Sequence, residues 1–180
     1  MEASDLTNHK LRRFDPGNRG LNFIGFAACA GMMGFALYVQ HILLLDPCPL
    51  CVLQRVAVIG LGAVFLLAAL HNPQGWGRRV YAVLMLLFAG DGAAVAGWHW
   101  HLQNLPPSEV PACGPGLSYM LENFPVGEAL RMVFEGSGEC AEVVWSFLSL
   151  SMPAWVFICM VGLGLAGIWN NLRRATQERL

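Results

Sequence analysis

Cys48-Pro-Leu-Cys51 sets two thiols three positions apart, with Pro47 and Pro49 restricting the backbone before and inside the motif. Thiols at this spacing form a disulfide, relay electrons or bind a soft metal such as zinc or copper, and the spacing alone does not choose among these. A c-type haem attachment is excluded, because Val52 stands where C-x-x-C-H requires histidine. The apolar run that follows predicts a helix starting around Cys51, whose N-terminal N–H groups point toward the thiol and favour a thiolate. Arg55 lies four positions after Cys51, on the same helix face, with about 6 Å between the Cβ atoms. A guanidinium so placed stabilises the Cys51 thiolate and donates hydrogen bonds to an oxygen-bearing acceptor. Two further thiols, Cys113 and Cys140, lie in the one long polar loop with 26 residues between them.

The elements that carry these residues are those of a membrane protein. Of 180 residues, 56% are hydrophobic and 13% charged, too apolar a balance for a soluble domain of this size. Runs at 21–45, 52–70, 80–99 and 152–169 are each about 18–25 residues, long enough to cross roughly 30 Å of hydrocarbon. The sequence therefore predicts an all-α, four-transmembrane-helix bundle, a single membrane domain over 1–180, with loops at 46–51 and 100–151 on one side. Lys10, Arg12, Arg13, Arg19, Arg78, Arg79, Arg173, Arg174 and Arg179, nine of the eleven Lys and Arg residues, fall on the other side. The positive-inside rule makes that side, and with it both termini, cytoplasmic. Asp46, six glutamates from Glu109 to Glu142 and the four loop cysteines then face the oxidising compartment. The net charge of −1 says nothing about partners, because the membrane separates its two signs.

Within the long loop, Pro106, Pro107, Pro111 and Pro115 keep the first part irregular. Leu117, Met120, Leu121 and Phe124 recur at helical spacing, as do Leu130, Val133 and Phe134 beyond Pro125. These predict short amphipathic helices that lie on the bilayer or pack on the bundle. Phe26-Ala27-Ala28-Cys29 faintly resembles a lipoprotein cleavage site, but the apolar run continues to Leu45, so an uncleaved span is expected. Cys29 and Cys159 fall inside spans without a C-x-x-C partner and read as small apolar packing residues. Asp91 is a mid-span acid read as a hydrogen-bonded or protonated packing residue, and His71 as interfacial.

A membrane thiol pair beside an arginine suits a quinone, which dissolves in the bilayer, accepts two electrons and carries oxygens that gain negative charge on reduction. The stretch Gln40-His41-Ile-Leu-Leu-Leu-Asp-Pro47-Cys48-Pro-Leu-Cys51-Val-Leu-Gln-Arg55 resembles the first periplasmic loop and second helix of the bacterial disulfide bond formation protein B family. Ser137-Gly138-Glu139-Cys140-Ala141-Glu142, with Trp145, Phe147-Leu148 and Met152-Pro153-Ala154-Trp155, resembles the same family's second loop and fourth helix. The resemblance covers nearly the whole chain beyond the first twenty or so residues.

The resemblance implies a multi-pass protein of the bacterial inner membrane that reoxidises a periplasmic thioredoxin-fold oxidase of the DsbA type and passes the electrons to membrane quinone. By the same resemblance, Cys113 is attacked by the reduced partner and Cys140 is its loop mate. Cys48 and Cys51 receive the electrons by exchange, Cys51 faces ubiquinone, and Arg55 shapes the quinone site. His99 matches a family position near that pocket, although Trp98, Trp100 and His101 beside it also suit an interfacial aromatic belt. The residues themselves leave menaquinone open as the acceptor, and leave all three pairings of the four loop cysteines open. No metal ligand is assigned and no nucleic-acid partner is expected. Two other readings remain: a vitamin K epoxide reductase-like enzyme, whose active C-x-x-C would lie in a late helix, and a soft-metal-binding membrane protein. The latter is disfavoured because only Cys48 and Cys51 are close in sequence.

Overall fold

The computed structural model describes residues 16–106, 108–112, 114 and 117–177. In chain order the elements are α1 (Pro16–His41), α2 (Pro49–His71), α3 (Trp76–Gln103), α4 (Leu117–Asn123), α5 (Val126–Glu135) and α6 (Gly138–Ala141), then strands β1 (Ser146–Phe147) and β2 (Leu150–Ser151), and finally α7 (Met152–Gln177). Four helices contain stretches apolar and long enough to span a bilayer: Arg19–His41, Pro49–His71, Trp76–Gln103 and Met152–Leu172. Bulky apolar side chains such as Ile24, Leu70, Leu87 and Leu165 are exposed on these helices, as lipid-facing residues are. The four-span, all-α expectation holds, with a two-residue hairpin as the addition.

Helix ends follow local chemistry. Proline at the first helical position sacrifices no hydrogen bond and arrives with a suitable φ, so α2 starts at Pro49, ahead of Cys51. It stops at Asn72, which takes a left-handed conformation (φ 44°) and returns its N–H to the Ala68 carbonyl. The α1 helix ends at His41, short of Leu45, and Leu44 turns the chain with φ 53°. At the far end of the third span, α3 continues past His99 to Gln103.

The bundle packs α1 on α2, α2 on α3 and α3 on α7. Leu61, Phe65, Met85 and Met160 fill its centre without solvent contact. Small residues let the helices approach: a Cβ built at Gly164 of α7 would stand 2.6 Å from the Ala89 Cβ of α3. Toward the end opposite Cys48, Asn171 donates to the Gly167 carbonyl (2.8 Å) and to Asn22 Oδ1 (3.5 Å), a buried polar contact between α7 and α1.

A second core, Leu50, Val95, Leu102, Met120, Ala129 and Val133, closes the cysteine end. On α5, Ala129 and Val133 pack on the bundle, the second of the two expected roles, while Val126, Leu130 and Phe134 stay exposed. Trp98 Nε1 donates to the Phe134 carbonyl at 2.9 Å and pins this helix to α3. The β1–β2 hairpin pairs Ser146 with Ser151 and Phe147 with Leu150, around a turn in which Leu148 and Ser149 are left-handed. Phe35, Trp145, Phe147 and Trp155 make successive ring contacts that tie the hairpin to α1 and α7.

Candidate active site

Cys48 is the N-cap of α2. Its backbone is extended, and its Sγ accepts the Cys51 N–H at 3.3 Å. Because the helix begins earlier than the sequence suggests, Cys51 lies in its first turn and the terminal N–H serves the Cys48 sulfur. The two sulfurs are 2.9 Å apart, and the described cysteines, 29, 48, 51, 140 and 159, are free thiols.

Cys140 reaches the same place from α6. Its N–H donates to the Ser137 carbonyl (2.8 Å), and the Ser137 hydroxyl lies 3.6 Å from its Sγ. The Leu50 N–H also serves the Cys140 sulfur. Two successive N–H groups at the N-terminus of α2 thus face two sulfurs, where the positive end of a helix dipole favours anionic sulfur.

The Cys48 thiol stands between Cys140 and Cys51. Hydrogen bonds to Cys140 and then to Cys51, reinforced by burial, push it well above the ordinary thiol range. Cys140 shifts the other way, to about 5: the hydrogen bond from Cys48, then those from Ser137 and the Leu50 N–H, outweigh its burial. Of Cys48 and Cys140, Cys48 is thus the sulfur that holds the proton and Cys140 the one inclined to the thiolate.

His99 of α3 is 2% exposed and joins three elements. Its Nε2 lies 3.0 Å from the Cys140 carbonyl oxygen, which can only accept, so Nε2 carries the proton in the neutral ring. Nδ1 is then the acceptor, and the Gln54 amide nitrogen donates to it at 3.0 Å. The same Nε2 lies 3.8 Å from Cys48 Sγ.

Two spaces meet at Cys51. One is an apolar pocket of about 640 Å³ walled by residues including Met32, Val39, Val58 and Val156, with Gln54 and Arg55 among its few polar groups. The other is a polar groove of about 1330 Å³, edged by Asp46, Glu139 and Glu142, that reaches Cys48 and His99. Cys51 lines both. Arg55 shares the apolar pocket with Cys51, as the four-residue spacing predicts. Its guanidinium donates to Gln40 Oε1 and, at 3.2 Å, to the Ala36 carbonyl, so it is held against α1. His99 lines the groove and is separated from the apolar pocket by Gln54.

Cys113 lies outside the described residues. On either side of it, Ala112 accepts the Gly138 N–H at 3.3 Å, and Gly114 packs near Ser137 and Met120. Cys29 packs beside Gly62 and, contrary to the expected isolation, is close enough to Cys159 for the two to interact electrostatically. Neither lines the pocket or the groove. Asp91 is exposed on the mid-span surface of α3, and His71 bonds the Tyr81 hydroxyl. Sequence reasoning passed over Gln54 and Ser137. Gln54 had a signal: between Val52 and Leu70 it is the only polar residue besides Arg55.

Residues 18–170 match the family described as disulfide bond formation protein DsbB. A protein of Nitrosococcus oceani described as disulfide bond formation protein B is 52% identical over 84% of this chain and 90% of its own length. Relatives with the same description from Saccharophagus degradans and Hahella chejuensis are 49% and 51% identical. They align over 89% and 87% of this chain, and over 96% and 95% of their own lengths.

Proposed function

The chain belongs to the disulfide bond formation protein B family and is a multi-pass membrane thiol oxidase, and from that premise we propose that it reoxidises a periplasmic DsbA-type dithiol oxidase and delivers the electrons to membrane quinone. The observation that carries this reading is the position of Cys51, which borders at once an apolar pocket between the spanning helices and a groove edged by acidic side chains. A thiol so placed connects a protein dithiol on the aqueous side with a lipid-soluble acceptor. Both termini are assigned to the cytoplasm and all four loop cysteines to the periplasm, supported by the distribution of Lys and Arg.

Electron entry is assigned to Cys113. A thiolate of the reduced partner attacks the Cys113 sulfur of a Cys113–Cys140 disulfide, forming a mixed disulfide and releasing Cys140 as a thiolate. The packing of Ala112 and Gly114 against Ser137 and Gly138 supports that pairing. Cys140 then attacks Cys48 in a Cys48–Cys51 disulfide and displaces Cys51. Contact of the Cys48 thiol with both others supports this order, as does the lowered Cys140 pKa, which makes it a thiolate at neutral pH. The partner's second thiol attacks the mixed disulfide, and the partner leaves oxidised. The released Cys113 attacks Cys140, restoring the Cys113–Cys140 disulfide and leaving Cys48 and Cys51 reduced. His99, fixed as the Nε2–H tautomer by Gln54 and the Cys140 carbonyl, holds a proton beside the Cys48 and Cys51 sulfurs.

The apolar pocket suits a quinone head group: its walls are mostly aliphatic, and Arg55 supplies hydrogen-bond donors at one edge. When bound, a quinone supplies a two-electron, two-proton acceptor. Arg55 stabilises negative charge on an oxygen there, and Gln40 and the Ala36 carbonyl keep its guanidinium oriented. Ubiquinone is the proposed acceptor, with menaquinone as the alternative. The test is partner oxidation in proteoliposomes depleted of quinone. Oxidation that stops without quinone and resumes on adding ubiquinone or menaquinone supports the reading, whereas undiminished oxidation without either rejects it.

A further inference from the structure

Cys48 Sγ, Cys51 Sγ and His99 Nε2 all lie within 4.8 Å of one another, with sulfurs 2.9 Å apart and Cys48 Sγ 3.8 Å from the imidazole nitrogen. Tetrahedral zinc, with bonds of about 2.3 Å to sulfur and about 2.0–2.1 Å to nitrogen, requires sulfurs roughly 3.8 Å apart and sulfur–nitrogen separations of roughly 3.5 Å. The histidine spacing therefore already fits, and the sulfurs need only open by about 1 Å. A fourth donor adjoins, since the Cys140 thiol meets that of Cys48 in the same buried cluster. Its sulfur is not within 4.8 Å of all three atoms, so Cys140 must move inward to join them. The sequence hid this set because its members come from α2, α3 and α6.

We propose that the reduced protein binds one zinc-class divalent cation through Cys48, Cys51 and His99, with Cys140 completing a Cys₃His site, and that the bound metal holds the relay in its reduced state. The metal and sulfurs keep their oxidation states. Each coordinating thiol releases its proton, and the imidazole proton moves from Nε2 to Nδ1. Gln54 is suited to that change: it lies 3.0 Å from Nδ1, and a half-turn of its amide presents an oxygen to the new N–H. Ligating histidines are oriented by such a partner. The entry route is the groove edged by Asp46, Glu139 and Glu142, whose carboxylates concentrate cations beside Cys48 and His99. Disulfide formation removes the thiolates and so abolishes the site. The inference goes beyond the quinone reading and needs only reduced thiols.

Cobalt(II) serves as the spectroscopic probe, titrated anaerobically into the reduced full-length protein in detergent. The expected result is one tetrahedral cobalt per chain with thiolate charge-transfer absorption, displaced by zinc and lost on oxidation of the thiols. His99→Asn should weaken cobalt binding at least tenfold. Cys140→Ser should reduce the charge-transfer intensity by about a third, as one of three thiolates is removed. Cys159→Ser, whose thiol lines neither the pocket nor the groove, should bind as the unaltered protein does. Gln54→Leu provides a second route should His99→Asn misfold, with an expected weakening of about tenfold or more. An octahedral spectrum without thiolate bands, unchanged affinity in folded His99→Asn or Gln54→Leu, or loss of binding in Cys159→Ser would overturn the proposal. Quinone binding by the oxidised protein is unaffected by any of these outcomes.

Discussion

Replacing Arg55 by alanine should impair quinone use and spare thiol exchange with the protein partner. The side chain borders the apolar pocket and is fastened by Gln40 and the Ala36 carbonyl, which leaves further donors of its five N–H groups for an acceptor oxygen. A hydrogen bond from a charged group contributes about 1.5–3 kcal/mol. With about 1.36 kcal/mol per tenfold in rate, kcat/KM for quinone should fall roughly 10- to 150-fold. Arg55→Lys should recover part of this, because the ammonium keeps the charge and loses the planar fork. Gln40→Leu, which loosens the guanidinium without removing it, should lose less than Arg55→Ala. The assay measures quinone-concentration dependence and single-turnover oxidation of the partner in the same preparations. Unchanged quinone kinetics in folded Arg55→Ala would refute the reasoning and leave the residue a headgroup anchor. Equal loss in both half-reactions would instead indicate general structural damage.

A partner variant retaining only its attacking cysteine should be trapped on Cys113, with a Cys48–Cys140 disulfide forming behind it because those thiols touch; mass spectrometry finding the partner on Cys48 or Cys51 would reverse the direction of entry. In the reduced protein, Cys140 should be a thiolate down to pH near 5. Its lowered pKa means that Cys140 loses thiolate character as pH drops through that value, read as the pH dependence of Cys140 alkylation mapped by mass spectrometry; a midpoint near that of an ordinary thiol would contradict the assignment. Gly164→Ala should destabilise the bundle by about 1–3 kcal/mol, read as a lower thermal midpoint in detergent, since its Cβ would meet that of Ala89 at 2.6 Å. Gly31→Ala, built into open space, should show no such loss.

Hydropathy and motif spacing revealed much of this architecture because both are local. The four spans follow from apolar run length, and the shared face of Cys51 and Arg55 follows from helical periodicity. Start and stop points were less legible: Pro49 at the first helical position moves the N-terminus of α2 ahead of Cys51 and gives its terminal N–H to Cys48. The His99 network was not visible, because its contacts require α3 to cross both α2 and α6 at one level. Likewise, Cys29 and Cys159 look isolated along the chain and become neighbours only when the helices carrying them pack. The hairpin escaped notice because its left-handed turn residues are Leu148 and Ser149, where glycine or asparagine would have marked it.

The exit of electrons from the Cys48–Cys51 pair to quinone is tested most directly in the Cys113→Ser/Cys140→Ser double variant, which retains that pair as the only loop thiols. The variant is fully reduced, freed of reductant and mixed anaerobically with one equivalent of quinone. Quinol is then measured optically and the thiols are mapped by mass spectrometry. The account predicts one quinol and one Cys48–Cys51 disulfide per chain. Quinone left oxidised beside intact Cys48 and Cys51 thiols in the folded protein would contradict it.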